Sequence, residues 1–234
     1  MSGKHLILLP GMLLDAELFA HQAKHLSGVA DVGVGDITTA DTVEGLALSV
    51  LDDAPERFAL AGLSLGGIVA FEILRRAPER VERLALLDTS ARPPRPEQLE
   101  SWREFERMTG EGRLAEVNEE RIMPNLFHPD RRQDAGLAEK VRRMAAGVGE
   151  EAFLRQLSAQ KSRPDSRGRL GEISCPTLVA AGRQDALCPV ELQEEISRAI
   201  PGSRLVIIED CGHLSSLERP QAVTALLRYW LQDG

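Results

Sequence analysis

The sequence predicts an α/β protein with a mostly parallel sheet, and two patterns support this prediction. Short apolar runs alternate with amphipathic segments over most of the chain, as they do when helices connect parallel strands. Between Arg92 and Gly171 this alternation stops and only helical periodicity remains. We therefore expect a core formed by residues 1–91 and 172–234, with residues 92–171 inserted as a helical lid.

Six apolar runs have the length and composition of buried strands. These runs are His5–Leu9, Val29–Val34, Arg57–Ala61, Arg83–Leu87, Thr177–Ala181 and Leu205–Ile208. One helix is expected to start at Asp41, with its carboxylate as the cap and Glu44 in the first turn. Another is expected over Ile68–Arg76, and the last from Pro220, since proline favours a first helical turn.

The composition excludes several classes of partner. The formal net charge of −8 disfavours nucleic acids and anionic membranes, because both bind clusters of lysine and arginine. No apolar run approaches the ~18 residues of a membrane span, and the start of the chain lacks a signal-peptide cleavage site. Three cysteines without a C-x-x-C pair suit a reducing compartment. We expect a cytoplasmic protein that acts on a small molecule; its oligomeric state is left open.

The most informative motif is G-x-S-x-G, present as Gly62-Leu63-Ser64-Leu65-Gly66. An apolar strand precedes it and an apolar helix follows, which is the context in which this motif presents a nucleophilic serine. The turn is sterically tight, so the positions two residues either side of the serine must be small. The helix start also directs backbone N–H groups at developing negative charge. Ser64 is therefore the candidate nucleophile.

A serine nucleophile needs a base that is oriented by a third group. His213 follows the last predicted strand and Asp185 follows the one before it, so both lie at carboxyl ends of strands, as Ser64 does. The chain order serine, acid, histidine is the order found in this type of fold. Asp88, after the strand Arg83–Leu87, is a rival for the acid, with a role as a helix or turn cap as its alternative. We favour Asp185.

The oxyanion of a tetrahedral intermediate needs two backbone donors. One is expected to be the N–H of Leu65, directly after the nucleophile. The other should come from the loop after the first strand. Since Pro10 has no N–H, Met12 is the candidate there.

Four motifs resemble those of the α/β-hydrolase superfamily, occur in the same order as in that superfamily and extend over nearly the whole chain. They are Leu8-Leu9-Pro10-Gly11, Gly62–Gly67, Gly182–Asp185 and Gly212-His213-Leu214. Pro10-Gly11 stands where the family usually has His-Gly. The resemblance implies an α/β-hydrolase fold, shortened at the N-terminus because sequence for the opening strands of full-length members is missing.

The stretch Cys211–Pro220 is similar to that of 3-oxoadipate enol-lactonases, and small carboxylesterases are comparable. The resemblance therefore implies hydrolysis of small carboxylic esters or lactones through an acyl-enzyme, with no metal or cofactor. An enol-lactonase-like enzyme and a C–C bond hydrolase are alternatives. A non-catalytic ligand-binding member of this fold is an alternative of another class.

Weaker signals leave further alternatives open. Apolar residues of the insertion line an acyl pocket or form the insertion's own core; the candidates for substrate binding are Met123, Phe127 and Met144. His21 and His25 share a helix face, but without a third ligand a solvated pair is favoured over a metal site. Cys188 and Cys211 are expected to be packing residues.

Overall fold

The computed structural model describes residues 4–232 and contains a sheet of six strands. The strands are β1 (His5–Leu9), β2 (Asp31–Val34), β3 (Phe58–Leu63), β4 (Val81–Leu87), β5 (Thr177–Gly182) and β6 (Arg204–Ile208). Every predicted strand is present, with ends shifted by one or two residues at most. The predicted fold class is confirmed.

All neighbouring strands are parallel, and their order in the sheet is β2-β1-β3-β4-β5-β6. The chain passes from β1 to the edge strand β2, returns to the other side of β1 with β3, and then continues outward to β6. Open α/β sheets bind ligands at the carboxyl ends of the strands, next to such a reversal. Ser64 follows β3 directly and therefore lies at this position.

Helices cover both faces of the sheet. On one face lie α2 (Val43–Asp53), α3 (Leu65–Arg76) and α7 (Val190–Ala199); on the other lie α1 (Ala20–Leu26), the short α8 (Ser215–Glu218) and α9 (Pro220–Gln232). Side chains of β3 alternate between the two apolar clusters, with Leu60 in the first and Ala61 in the second. Because both faces are buried, the strands are continuous apolar runs in the sequence.

Two helix starts differ from the predictions. Thr42, and not Asp41, caps α2, because its hydroxyl accepts a hydrogen bond from the Gly45 N–H at 3.0 Å. Helix α3 begins at Leu65, earlier than expected, because Ser64 alone makes the turn from strand to helix. Helix α9 begins at Pro220 as predicted.

Residues 92–171 are helical and contain no strand, all of them being within the described part of the chain. They form α4 (Pro96–Gly110), the single turn α5 (Leu114–Glu116) and α6 (Ala135–Ser162), which breaks at Gly149, where φ is 76°. The segment contributes Trp102 and Phe153 to a third apolar cluster, which Leu13 joins from the core. Its action as a lid stays a prediction. No helix within residues 4–232 is long and apolar enough to cross a membrane.

The N-terminus of α3 packs against the end of β1 without space for a side chain. A Cβ atom on Gly66 would lie 2.1 Å from the carbonyl oxygen of Leu9 and 2.6 Å from that of Pro10. Both obstacles are backbone atoms, which cannot rotate away as a side chain can. Glycine at this position is therefore a requirement of the fold as well as of the motif.

We expect Gly66→Ala to lower the free energy of unfolding by about 3 kcal/mol or to prevent folding, because the added methyl overlaps backbone. The matched control is Gly28→Ala, since a Cβ at Gly28 meets no atom within 4 Å. Urea denaturation followed by circular dichroism measures both variants. Equal stability of the two variants would show that β1 and α3 leave room for a methyl group at residue 66.

Candidate active site

Ser64 occupies a strained turn between β3 and α3. Its φ of 54° and ψ of −115° lie outside the regions that side chains ordinarily permit. A Cβ on Gly62 would come within 2.3 Å of the Gly66 carbonyl oxygen, which explains why glycine stands on both sides of the serine. The Ser64 N–H donates to the Leu87 carbonyl at 3.0 Å, which joins the turn to β4. The serine is half-buried and lines a cavity.

His213 and Asp185 form a buried pair. His213 Nδ1 lies 2.8 Å from Asp185 Oδ2, and the two residues are 3% and 4% exposed. The other carboxylate oxygen, Oδ1, accepts hydrogen bonds from the N–H groups of Leu187 at 2.8 Å and Cys188 at 2.9 Å. With its proton on Nδ1, the imidazole keeps Nε2 as an acceptor. His213 lines the same cavity as Ser64, although no hydrogen bond joins their side chains among the described residues.

The pKa of His213 lies above its ordinary value. Burial by itself lowers the pKa of an imidazole, but the charge of Asp185 and the hydrogen bond that His213 donates to it favour the imidazolium more strongly. The carboxylates of Asp88 and Glu218 act in the same direction. The pair is thus arranged to stabilise a positive charge on His213.

Asp88 is completely buried, yet it does not bond to His213. Its Oδ1 accepts a hydrogen bond from the Gly182 N–H at 2.9 Å, and its Oδ2 accepts one from the Ser215 hydroxyl. Burial, together with the nearby charge of Asp185, raises the pKa of Asp88 far above that of a free carboxyl. The rival acid of the sequence is therefore a link between the loop that carries Asp185 and the loop that carries His213.

The predicted oxyanion donors lie around Ser64. The cavity wall includes Gly11 and Met12, and a Cβ on Gly11 would be 3.4 Å from Ser64 Cβ, so the β1 exit loop touches the serine. Within residues 4–232, no protein group accepts a hydrogen bond from the backbone N–H of Met12 or of Leu65. Met12 lines the cavity, whereas Leu65 directly follows Ser64 and is buried, and their role as oxyanion donors stays a prediction. The next N–H, that of Leu13, is held by Gln156 Oε1 of α6 at 3.0 Å.

The cavity has a volume of about 560 Å³ and extends from the sheet edge to α4. The insertion contributes Trp102, Phe105, Ile122 and Leu126 to its wall. The predicted substrate-binding residues are not part of this wall. Met123, Phe127 and Met144 pack instead into the apolar cluster that includes Leu8 and Val223, so they fill the core beside the sheet.

Several groups around the site were not singled out from the sequence. The Thr89 hydroxyl donates to the Ser64 carbonyl at 2.7 Å. Glu218 holds the histidine loop, because its carboxylate accepts hydrogen bonds from the N–H groups of Gly212 at 2.8 Å and His128 at 2.9 Å. The backbone of His213 itself donates to the Leu126 carbonyl at 3.0 Å. A polar pair after an apolar strand, Asp88-Thr89, is the signal that could have pointed to this region, although only Asp88 was considered.

Cys188 lies beside the histidine–aspartate pair. Potential ligand atoms of Asp185, Cys188 and His213 are all within 4.8 Å of one another. Burial, with the charge of Asp185, raises the pKa of the Cys188 thiol well above its ordinary value, so the sulfur is a neutral neighbour. Cys211 is buried in the core. His21 and His25 stack with ring centroids 4.3 Å apart, and no third metal-ligating side chain joins them among the described residues.

A parallel sheet with a serine in a strand–helix turn, and a histidine–aspartate pair on neighbouring strand ends, defines a hydrolase-type α/β architecture. The chain belongs to the alpha/beta hydrolase family, whose model matches residues 6–226.

Among curated relatives, a pimeloyl-[acyl-carrier protein] methyl ester esterase of Neisseria meningitidis is 30% identical over 202 residues, which are 83% of this chain and 75% of that protein. Among solved structures, a thermophilic esterase from Thermogutta terrifontis is 33% identical with a TM-score of 0.90, covering 98% of this chain and 90% of that one. An enol-lactonase from Burkholderia xenovorans LB400 has a TM-score of 0.88 at 24% identity over 100% of this chain and 93% of that one, which supports the fold alone. The shared fold and the relatives thus point to esterases of this superfamily.

We expect histidine NMR spectra to show one imidazole, that of His213, whose pKa lies above the ordinary value. This pKa should fall in Asp185→Asn. The amide removes the charge that stabilises the imidazolium. Asp88→Asn should move the same resonance less, because Asp88 is not bonded to His213. His21 is an internal reference, since burial and His25 lower its pKa and neither substitution touches it. A larger change in Asp88→Asn would reverse the assignment of the partner.

Proposed function

We propose that this protein is a serine hydrolase that cleaves small carboxylic esters with Ser64 as nucleophile, His213 as base and Asp185 as its orienting acid. The observation that carries the proposal is the buried 2.8 Å contact between His213 Nδ1 and Asp185 Oδ2, beside the cavity that Ser64 lines. A buried carboxylate that fixes the imidazole tautomer is what a general base for a serine requires.

In the proposed reaction, Ser64 Oγ attacks the ester carbonyl while His213 Nε2 takes its proton. The N–H groups of Leu65 and Met12 stabilise the oxyanion. His213 then protonates the leaving alcohol, and a water activated by the same imidazole hydrolyses the acyl-enzyme. His213 must be neutral to start, so the raised pKa predicts that activity is lost as the pH falls through that pKa. None of these steps calls for a metal or an organic cofactor.

The esterase names of the relatives support carboxylic esters as substrates. Enol-lactonase-like and C–C bond hydrolase activities are alternatives in which the same serine acts. A non-catalytic binding protein is the alternative of another class. The expectations of a small-molecule substrate, no nucleic-acid or membrane partner, and a cytoplasmic location rest on charge and cysteine content.

A fluorophosphonate probe should label the wild-type protein at Ser64 and leave Ser64→Ala unlabelled. The same substitution should lower kcat for short 4-nitrophenyl esters by about 10⁴-fold or more, as removal of a triad member typically does. Peptide mapping after labelling locates the serine, and circular dichroism shows that the variant is folded. Ser158→Ala is the control, because this serine belongs to α6 and does not line the cavity. Absence of labelling in the folded wild type would favour the binding protein.

We further propose that residues 92–171 act as a lid that sets substrate choice. Phe105 lines the cavity whereas Met144 is buried in the core, so the two residues separate recognition from stability. Phe105→Ala should change the preference among acyl chain lengths, each buried methylene being worth about 0.8 kcal/mol.

Met144→Ala should instead lower stability by about 2–5 kcal/mol and keep the chain-length profile. Steady-state kinetics with a series of 4-nitrophenyl esters, together with thermal denaturation, would decide. An unchanged profile in Phe105→Ala would move specificity away from the insertion.

A further inference from the structure

The cavity contains a buried cation that forms no ion pair with any carboxylate of residues 4–232. Arg163, just after α6, lines the cavity and is only 7% exposed. Its Nε donates to the Arg92 carbonyl at 3.0 Å, and its Nη1 and Nη2 donate to the side-chain oxygens of Gln160 at 2.5 Å and Gln98 at 3.3 Å. Its guanidinium also lies 5.3 Å from the centre of the Trp102 ring. All of these partners are neutral.

The absence of an anion is unusual for this residue type. Buried arginines are normally paired, because removing a charge from water is costly unless an opposite charge compensates. Desolvation, together with the smaller effect of the nearby cation Arg95, lowers the pKa of Arg163 to about 10. The guanidinium therefore stays charged at neutral pH and has no ion-pair partner in the described part of the chain.

The other arginines of the cavity separate into two kinds. Arg92 is paired with Glu195 at 2.8 Å, and Arg121 with Glu104 at 3.3 Å, so their charges are compensated within the protein. Arg95 is exposed at the rim and, among residues 4–232, has no ion-pair partner. Together with Arg163 it places two uncompensated positive charges in a chain whose net charge is −8.

Two acidic residues of the described chain also line the cavity. Glu97 and Glu191 are both exposed, and neither forms an ion pair with Arg163 or Arg95 in the described chain. Exposed carboxylates are screened by water and salt, so they compensate a buried guanidinium poorly.

The cation shares its cavity with the candidate catalytic groups. Arg163 and Cys188 line the same cavity as Ser64 and His213, and ligand atoms of Cys188, Asp185 and His213 lie within 4.8 Å of one another. A ligand group held by Arg163 therefore belongs to a molecule whose remaining part extends toward Ser64 along the cavity wall.

We propose that Arg163, assisted by Arg95, forms a carboxylate-binding subsite, so that the substrate is an ester or lactone that itself carries a carboxylate. The planar guanidinium retains N–H groups beyond the three that are engaged, and a carboxylate is the anion that matches such a fork. This inference rests on the proposed hydrolase function for the reaction, but the anion site itself is defined by Arg163.

Matched substrate pairs test the proposal. The mono-4-nitrophenyl ester of adipic acid carries its carboxylate in the acyl part, and methyl 4-nitrophenyl adipate is its neutral counterpart. The second pair, 4-acetoxybenzoate and its methyl ester, places the carboxylate in the alcohol part. We expect the wild type to favour the anion in one pair, which identifies the side of the ester that reaches Arg163.

In that pair, the ratio of kcat/KM for the anion to kcat/KM for the neutral ester should fall about tenfold or more in Arg163→Gln and in Arg95→Gln, since a charge-assisted hydrogen bond is lost. The loss should appear as a higher KM for the anion with kcat nearly unchanged, because the carboxylate is bound equally before and during the reaction. Arg103→Gln is the control: it removes one exposed charge from α4 outside the cavity and should keep the wild-type ratio.

If Arg163→Gln does not fold, Arg163→Lys and Arg95→Gln carry the test, because a lysine keeps the charge but loses the fork. Equal ratios in the wild type and all folded variants would overturn the subsite and leave the hydrolase proposal intact. If no ester is hydrolysed, calorimetry with adipate decides separately. Binding by the wild type that weakens in Arg95→Gln would keep the anion site without the hydrolase, and no binding would reject both.

Discussion

The site depends on one close approach, that of the Ser64 turn to the strands on either side. The turn places its residue at a positive φ, and such a conformation persists only where the surroundings over-determine it. Here the surroundings are backbone atoms: Gly62 packs against the backbone of Gly66, and Gly66 packs against the backbone of Leu9 in β1. The same contact that stores the strain also presents the serine side chain at the cavity and directs the start of α3 toward it.

The exit of β4 connects the remaining parts. Leu87 accepts a hydrogen bond from the Ser64 N–H, Thr89 donates to the Ser64 carbonyl, and Asp88 joins Gly182 to Ser215. Three consecutive residues thus contact the segments that carry Ser64, Asp185 and His213. A site assembled on strand ends and held by a shared turn keeps its geometry better than one built on independent loops.

The sequence was sufficient for those features that depend on local pattern. Continuous apolar runs identified the strands, and G-x-S-x-G identified the turn, because each requires particular residues at fixed spacing. The sequence also placed Asp185 and His213 on neighbouring strand ends, where the structure pairs them. It failed where long-range packing decides. Met123, Phe127 and Met144 are apolar in a helical segment, but periodicity cannot tell a face that meets the sheet from one that meets a cavity.

Arg163 shows the same limit of sequence-based prediction for a charged residue, since an arginine near the end of a helix normally predicts a solvated face. Only the fold reveals that it is buried beside neutral acceptors. A resident carboxylate there would have filled the guanidinium fork, so that a ligand carboxylate could not have bound to it. The described residues instead engage three of its N–H groups with neutral oxygens. In the proposed subsite, the compensating charge arrives with the ligand.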